Sequence, residues 1–198
     1  MTQARKAGYR INPLFIQRWS ARAFTDEAIS HEQLLGLFEA ARWAPSAYNA
    51  QPWRFIYALK GSAHWESFLQ LLIEFNRSWA ANASALVFII SRTQFQPPGK
   101  ETASPFPTHA FDTGAAWASL ALQAQDAGWS AHAMAGFDQQ QARAVLGIPD
   151  EYAIQAAIAI GRPGNPESLP EGLRARETPS QREPLEQLVA EGGFTFPA

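Results

Sequence analysis

The chain has 198 residues, of which 46% are hydrophobic and 17% are charged, and its formal net charge at pH 7 is −2. A chain of this size and composition predicts one globular domain over residues 1–198, and so small a net charge provides no field to recruit nucleic acid. Cysteine is absent, which excludes disulfides, thiol nucleophiles and thiolate metal sites.

The sequence contains no pattern typical of a targeting or membrane-spanning segment. Its N-terminal residues are polar and lack the apolar core of a signal peptide. The longest apolar runs, 83–90 and 156–160, fall far short of the roughly 20 residues that span a bilayer. We therefore expect a cytoplasmic protein with no membrane partner and no nucleic-acid partner.

The first functional candidates lie in the stretch Arg18-Trp19-Ser20-Ala21-Arg22. If this stretch is extended, Arg18, Ser20 and Arg22 share one face, because side chains alternate along a strand. Two guanidinium groups beside a hydroxyl are suited to bind a monophosphate. The alternative is that the two arginines form ion pairs with carboxylates elsewhere on the surface.

Hydrophobic periodicity and capping signals predict helices and strands that follow one another along the chain. Helices are predicted over residues 13–17, 31–43, 65–79, about 112–127 and 139–146, and strands over 53–59, 85–90, 129–134 and 152–161. The apolar run 85–90 is typical of a central strand buried on both faces. Asp112 or Thr113 is the predicted N-cap of the long fourth helix.

The loop between the second helix and the first strand contains Pro45 and Pro52, which restrict their own φ angles and the conformation of their predecessors. Between the prolines, Ser46, Asn49 and Gln51 can take part in hydrogen bonds as donors or acceptors. This rigid polar loop is either a connector that satisfies its own backbone or one wall of a site for a flat polar heterocycle.

Two proline-rich segments have no predicted regular structure. Residues 92–109 form either a substrate-binding loop or a tolerated surface insertion. Residues 163–198 are predicted to form an extended C-terminal arm that packs over another surface, such as a second subunit.

The usual catalytic motifs are missing from the sequence. There is no Gly-x-Gly fingerprint, no phosphate-binding Gly-Lys-Ser or Gly-Lys-Thr, and no Gly-x-Ser-x-Gly elbow. The four histidines are spread along the chain, and no pair of carboxylates indicates an acid–base couple or a metal site. An enzyme without visible catalytic side chains indicates that a cofactor carries the reaction.

Taken together, these motifs resemble the nitroreductase superfamily of FMN-dependent NAD(P)H oxidoreductases over about residues 16–193. The most specific match runs from Ala44-Pro45-Ser46 to Gln51-Pro52-Trp53-Arg54-Phe55. The resemblance implies an α+β fold with a mostly antiparallel central sheet flanked by helices. It also implies an intertwined homodimer with FMN at the interface, in which the C-terminal strand joins the partner's sheet.

The resemblance also implies which residues bind the cofactor. Arg18, Ser20 and Arg22 would grip the FMN phosphate, Arg182 would add a second basic contact, and Asn76 would hydrogen-bond the flavin edge. The expected FMN-binding residues are Arg18, Trp19, Ser20, Arg22, Pro45, Ser46, Ala47, Asn49, Asn76, Met134, Ala135, Gly136, Ser180 and Arg182.

Two of these groups have distinct expected roles. The loop residues 45–49 would serve the flavin bound mainly by the other subunit, and the backbone of 134–136 would approach the flavin N5 atom. Many family members have Glu or Gly where this chain has Ala135, so a backbone role is carried over and a side-chain role is not.

The activity implied is a ping-pong reaction in which NADH or NADPH delivers hydride to N5 and leaves. A small-molecule electron acceptor, namely a nitroaromatic, a quinone or a conjugated carbonyl, is then reduced. No catalytic side chain and no metal are assigned. The alternatives are a flavin-binding protein for storage or sensing without turnover, and a flavin-free interaction module whose proline-rich tail recruits partners.

Overall fold

The structure is a computed structural model that describes residues 4–196. Its strands are β1 (Trp53–Leu59), β2 (Ala85–Arg92), β3 (Gln94–Phe95), β4 (Ser104–Pro105), β5 (Ser130–Met134) and β6 (Tyr152–Gly161). Its α-helices are α1 (Leu14–Gln17), α2 (His31–Arg42), α3 (Trp65–Gln70), α4 (Glu74–Ala80), α5 (His109–Asp126), α6 (Gln139–Val145) and α7 (Glu171–Arg174). Single 3-10 turns occur at Ala47–Asn49, Pro166–Ser168 and Leu185–Gln187.

Four strands form the central sheet in the order β1-β2-β6-β5, and every neighbouring pair is antiparallel. The prediction of an α+β fold with an antiparallel sheet is therefore confirmed. The hairpin β3–β4 lies outside this sheet and gives the proline-rich segment 92–109 more order than the sequence predicted.

The central strand β2 separates two hydrophobic clusters, because its apolar side chains alternate between the two faces of the sheet. Leu86 and Phe88 belong to the cluster that contains Trp79 of α4. Val87 belongs to the other cluster, with Leu120 of α5. Burial on both faces explains why this stretch is a continuous apolar run.

The predicted helix 65–79 is wrong in one respect, since the structure has two helices, α3 and α4, in its place. The break is caused by tertiary backbone contacts. The carbonyl of Leu71 accepts the N–H of Asp138 at 2.9 Å, and Leu72 forms a β-bridge with Phe137. Backbone groups engaged with this neighbouring segment cannot also continue the helical ladder, although the apolar spacing continues through the break.

The first half of the predicted C-terminal arm packs on its own subunit. Leu169 and Leu173 lie in the core cluster of this chain, and Glu177 is buried close by. From residue 178 onward most residues are exposed, and within residues 162–196 the structure has no further strand. Packing of the arm on a partner subunit stays a prediction, and it concerns residues 178–198, of which 197 and 198 lie outside the described residues.

Gly164 provides a test of the packing between β6 and the N-terminal segment. A Cβ at this position would lie 2.6 Å from the backbone carbonyl carbon of Phe24. We expect Gly164→Ala to lower the free energy of unfolding by about 1–3 kcal/mol, since the backbone must move to relieve the overlap. Urea denaturation measures the change. Gly172→Ala is the matched control, because nothing lies within 4 Å of its added Cβ; equal stability of the two variants would contradict the prediction.

Candidate functional site

Three arginines that are distant in sequence meet at one place on the molecule, and we call Arg5, Arg18 and Arg182 the arginine cluster. Arg5 Nε donates to the carbonyl of Ser180 at 2.8 Å. Arg5 Nη1 donates to the carbonyl of Arg18 at 2.8 Å. Arg182 Nη1 donates to the hydroxyl oxygen of Ser180 at 2.9 Å. Arg5 thus joins Arg18 to Ser180, which Arg182 also contacts, and the charges of Arg5 and Arg182 lie near enough to Arg18 to affect it.

The arginine cluster carries like charges without a compensating carboxylate. Burial and the nearby charge of Arg182 lower the pKa of Arg5. Burial, followed by the charges of Arg5 and Arg182, lowers the pKa of Arg18. None of the ion pairs formed among residues 4–196 includes a member of the cluster. A group of unpaired guanidinium donors is a site for an anion, and it suits phosphate geometry well.

A cavity of about 470 Å³ lies beside the cluster, and Arg18, Ser20 and Ala133 are among the residues that line it. Arg18 Nη1 donates to the Ser20 hydroxyl oxygen at 3.4 Å. Strand β5 lies next to the segment 18–20, and the Ser130 hydroxyl donates to the carbonyl of Trp19 at 3.4 Å. The predicted segment 18–20 therefore forms one wall of this cavity and β5 forms another.

Strand β5 leads from the cavity to a second group of predicted residues. Met134 is buried at the end of the strand, and Ala135, which follows, is exposed. Asn76 is 8% exposed, and its Nδ2 donates to the carbonyl of Gly136 at 2.9 Å. A Cβ on Gly136 would lie 2.5 Å from Asn76 Nδ2, so only glycine fits there without displacing the amide.

Arg22 is held differently from the other predicted phosphate ligands, because it forms an ion pair. Its Nη1 lies 3.5 Å from Glu177 Oε2. The other carboxylate oxygen, Oε1, accepts the backbone N–H groups of Arg22 at 2.6 Å and Ala23 at 2.8 Å. Arg22 thus forms an ion pair with a carboxylate, as the alternative interpretation of the motif predicted. The carboxylate of Glu177 is buried, however, and does not lie on the surface.

The loop 45–51 is held in a strained conformation. Tyr48, Asn49 and Gln51 have φ angles of 54°, 52° and 46°, a region that costs a non-glycine residue roughly 1–3 kcal/mol. The Ser46 hydroxyl oxygen accepts the N–H of Gln51 at 3.0 Å, which closes the loop on itself. Pro45 is exposed at its start. The side chains of Ser46 and Gln51 thus bond to the backbone of the loop itself, as expected of a connector, and a role as one wall of a binding site stays a prediction.

Asp112 fixes this loop to helix α5. Its carboxylate accepts the N–H of Ala47 at 3.2 Å and the hydroxyl of Thr108 at 3.2 Å. The predicted N-cap role of Asp112 or Thr113 is therefore wrong, since α5 begins at His109 and both residues are buried in its first turns. The hydrogen bonds and ring contacts among residues 4–196 do not connect loop 45–51 to the arginine cluster of the same chain.

Sequence reasoning missed Arg5, Asp112 in its true role, and Glu177. Arg5 lies in a polar N-terminal stretch with no recognisable motif, and Glu177 lies in the proline-rich arm. No local pattern marks either residue, because each acts through contacts that span more than a hundred residues.

Comparison with known proteins identifies the family. The family model described as "Nitroreductase family" matches residues 16–78 and 58–162. A relative from Thermus thermophilus named NADH dehydrogenase is 30% identical over 200 residues, covering 88% of this chain and 92% of the relative. A crystal structure described as an oxidoreductase containing FMN is 46% identical, with a TM-score of 0.94 and full coverage of both chains. A protein from Desulfovibrio desulfuricans solved in complex with FMN is 25% identical, with a TM-score of 0.69, and the match covers 93% of this chain and 99% of that protein.

Two kinds of feature are missing from the described residues. None of the helices within 4–196 is long and apolar enough to cross a bilayer. No group of three or more histidine or carboxylate side chains in that range is arranged to hold a metal ion.

His132, a residue of strand β5, should make the free energy of unfolding depend on pH. Burial lowers its pKa from 6.5, and its ring packs against Trp79 with centroids 4.7 Å apart. A histidine with a depressed folded-state pKa binds fewer protons when folded, so it supports stability above 6.5 and loses that support as the pH falls below it. We expect the free energy of unfolding to fall between about pH 7.5 and pH 5, and to fall less in His132→Gln.

Urea denaturation at a series of pH values measures this slope. His64→Gln, which replaces an exposed histidine, is the matched control and should leave the slope unchanged. An equal slope in the wild type and in His132→Gln would show that other groups cause the pH dependence.

Proposed function

Because the chain belongs to the nitroreductase family, we propose that it is an FMN-dependent oxidoreductase that takes electrons from NADH or NADPH. The observation that carries this proposal is the unpaired arginine cluster beside a cavity whose wall leads to Asn76 and Gly136. The FMN named for two similar solved structures supports the same cofactor.

The residues of the chain fit the chemistry of FMN. A phosphate dianion would meet the arginine cluster, where it would relieve the repulsion among three cations. The hydroxyls of Ser20 and Ser180 already accept from Arg18 and Arg182, so their own O–H groups remain to donate to the phosphate. When bound, FMN would supply the carrier that accepts a hydride and passes electrons on.

Asn76 and the end of β5 would hold the polar edge of the flavin ring. The bond from Asn76 Nδ2 to the Gly136 carbonyl fixes the amide plane. Its Oδ1 accepts no hydrogen bond from residues 4–196, so it can accept one from a ring N–H. The backbone at the exposed Ala135 and the half-buried Gly136 would face the reacting edge, where N–H donors stabilise developing negative charge.

A homodimer would complete the site. Loop 45–51 does not reach the arginine cluster of its own chain, so we infer that Pro45, Ser46, Ala47 and Asn49 serve the FMN of the partner subunit. Helix α5 supports such an interface with an outward apolar face, on which Phe111 is 82% exposed. The exposed apolar residues Leu188 and Phe194 support packing of the arm over a second subunit.

The acceptor would be an oxidising small molecule, namely a nitroaromatic, a quinone or a conjugated carbonyl. Tyr48 stacks on Phe95 at 5.8 Å, and Phe95 packs on Phe106 at 5.1 Å. These aromatic rings join loop 45–51 to the hairpin β3–β4 and would shape one side of the acceptor pocket, with His109 close by. Because the nicotinamide and the acceptor would use the same space in turn, a ping-pong scheme follows.

Anaerobic reduction tests the activity directly. The purified protein, reconstituted with FMN, should bleach on addition of NADH or NADPH and recover its colour when a quinone or nitroarene is added. Stopped-flow absorbance measures both half-reactions. Bound flavin that neither nicotinamide reduces would favour storage or sensing without turnover, and a chain that cannot be reconstituted with FMN would favour a flavin-free interaction module.

Arg18 and Arg22 should respond differently to replacement by alanine. Arg18→Ala should weaken FMN binding by roughly tenfold or more, the effect of losing a charged hydrogen bond, and should leave riboflavin binding unchanged. Arg22→Ala should instead lower the free energy of unfolding by roughly 3 kcal/mol, because it leaves the buried Glu177 without its partner. Flavin fluorescence titration and urea denaturation measure the two effects. Unchanged FMN affinity in Arg18→Ala would contradict the phosphate assignment.

A further inference from the structure

Arg5 lies before the residues that the family model matches, since that match begins at residue 16. Its guanidinium nevertheless makes three hydrogen bonds to distant backbone carbonyls. Nε donates to Ser180 at 2.8 Å, and Nη1 donates to Ile16 at 3.0 Å and to Arg18 at 2.8 Å. One side chain therefore joins the N-terminal stretch, the segment 16–18 and the C-terminal tail.

This junction sets the distance between two other cations. Arg182 lies two residues beyond the carbonyl that Arg5 binds, and its Nη1 donates to the Ser180 hydroxyl oxygen at 2.9 Å. Arg18 carries another of the three carbonyls that Arg5 binds. Holding the tail at Ser180 thus places Arg182 beside Arg18, although like charges repel each other there.

Arg5 also keeps donors for a ligand. Nε and Nη1 are used within the chain, whereas Nη2 meets no acceptor among residues 4–196. Arg5 and Arg182 both line an open cavity of about 770 Å³ between the N-terminal segment and the tail. Glu183 and Glu186 line the same cavity, but neither forms an ion pair with the cluster within residues 4–196. A ligand anion can therefore reach the cluster from this cavity, and Arg5 can donate to it while it holds the tail.

We propose that Arg5 is a positioning residue of the phosphate subsite: it fastens the C-terminal tail to the segment 16–18 so that Arg18 and Arg182 bind one phosphate group together. This inference rests on the proposed function, because FMN is the ligand whose phosphate the cluster would bind. The ligand class is a phosphate monoester, since the cluster supplies guanidinium forks and hydroxyls and no carboxylate.

The test compares FMN with riboflavin, which has the same ring system and no phosphate. Arg5→Ala should weaken FMN binding by about tenfold and leave riboflavin binding unchanged, so that the preference for FMN collapses. Riboflavin binding also shows that the variant is folded. Lys6→Ala is the matched control, because it removes the same charge from the next residue, which lines the same cavity, and it should change neither affinity.

The variant Arg5→Lys distinguishes the effect of the three hydrogen bonds of Arg5 from the effect of its positive charge. A lysine keeps the positive charge but lacks the fork that reaches three carbonyls, so it should restore little of the lost FMN affinity. In the wild type, FMN should slow hydrogen–deuterium exchange of residues 180–188, and in Arg5→Ala this protection should be lost.

Three outcomes would overturn the inference while the proposed function stands: unchanged FMN binding in Arg5→Ala, an equal loss of both flavins, or full rescue by lysine. If the wild type binds neither flavin, the proposed function fails. The anion site is then judged with inorganic phosphate, which should raise the thermal midpoint of the wild type and not that of Arg5→Ala. The absence of that difference would overturn the inference as well.

Discussion

The arginine cluster is the constraint on which the rest of the site depends. The guanidinium groups of Arg5 and Arg182 donate to carbonyls and a hydroxyl, the carbonyl of Arg18 accepts from Arg5, and none of these bonds neutralises a charge. Charges of one sign cost free energy when they are brought together, even where water screens part of the repulsion. The hydrogen bonds of Arg5 to residues 18 and 180 oppose this cost, and an arriving dianion would convert the repulsion into attraction. The cluster is thus poised to bind an anion in a way that a set of separate surface arginines is not.

Strand β5 connects the region of the arginine cluster to the region of Asn76. It lies beside the segment 18–22, since Ser130 bonds to Trp19 and His132 Nδ1 lies 3.1 Å from the carbonyl of Ala21. Its end delivers Gly136 to Asn76. Because a strand rises by about 3.3 Å per residue, the two ends of β5 lie roughly 13 Å apart. The sheet therefore sets the spacing between the charged end and the amide end.

Local sequence signals predicted the elements of the fold well and long-range contacts poorly. The strands 53–59 and 152–161 and the starts of the helices at residues 31 and 139 were predicted correctly, because alternation and capping are properties of neighbouring residues. The break between α3 and α4 was not, since it depends on backbone bonds to residues 136–138. Asp112 was misassigned for a similar reason, because a carboxylate near a helix start can bind its own helix or another loop.

The site shows the same division. Arg18, Ser20, Arg182, Asn76 and Gly136 were named from motifs. The structure places Arg18 near Ser20 and Arg182, and Asn76 against Gly136, while their part in FMN binding stays a prediction. Arg5 and Glu177 could not be predicted, since the local sequence around an arginine or glutamate in a polar stretch does not indicate its partner in the fold. Arg18 and Arg22 belong to one motif, but only Arg22 forms an ion pair with the buried Glu177. The two arginines therefore differ in role, and the motif alone could not predict this difference.

The strained loop 45–51 completes the physical argument for an assembled site. Left-handed backbone at three non-glycine residues persists only where surrounding contacts determine it, and here Asp112 and Ser46 supply those contacts. Within one chain this rigid loop contacts helix α5 and the aromatic hairpin and makes no bond to the arginine cluster. Under the proposed function, the arginine cluster and the loop 45–51 would be two complementary halves of one pocket. Two-fold symmetry is the simplest arrangement that would bring such halves together, because each copy would then supply the half that the other lacks.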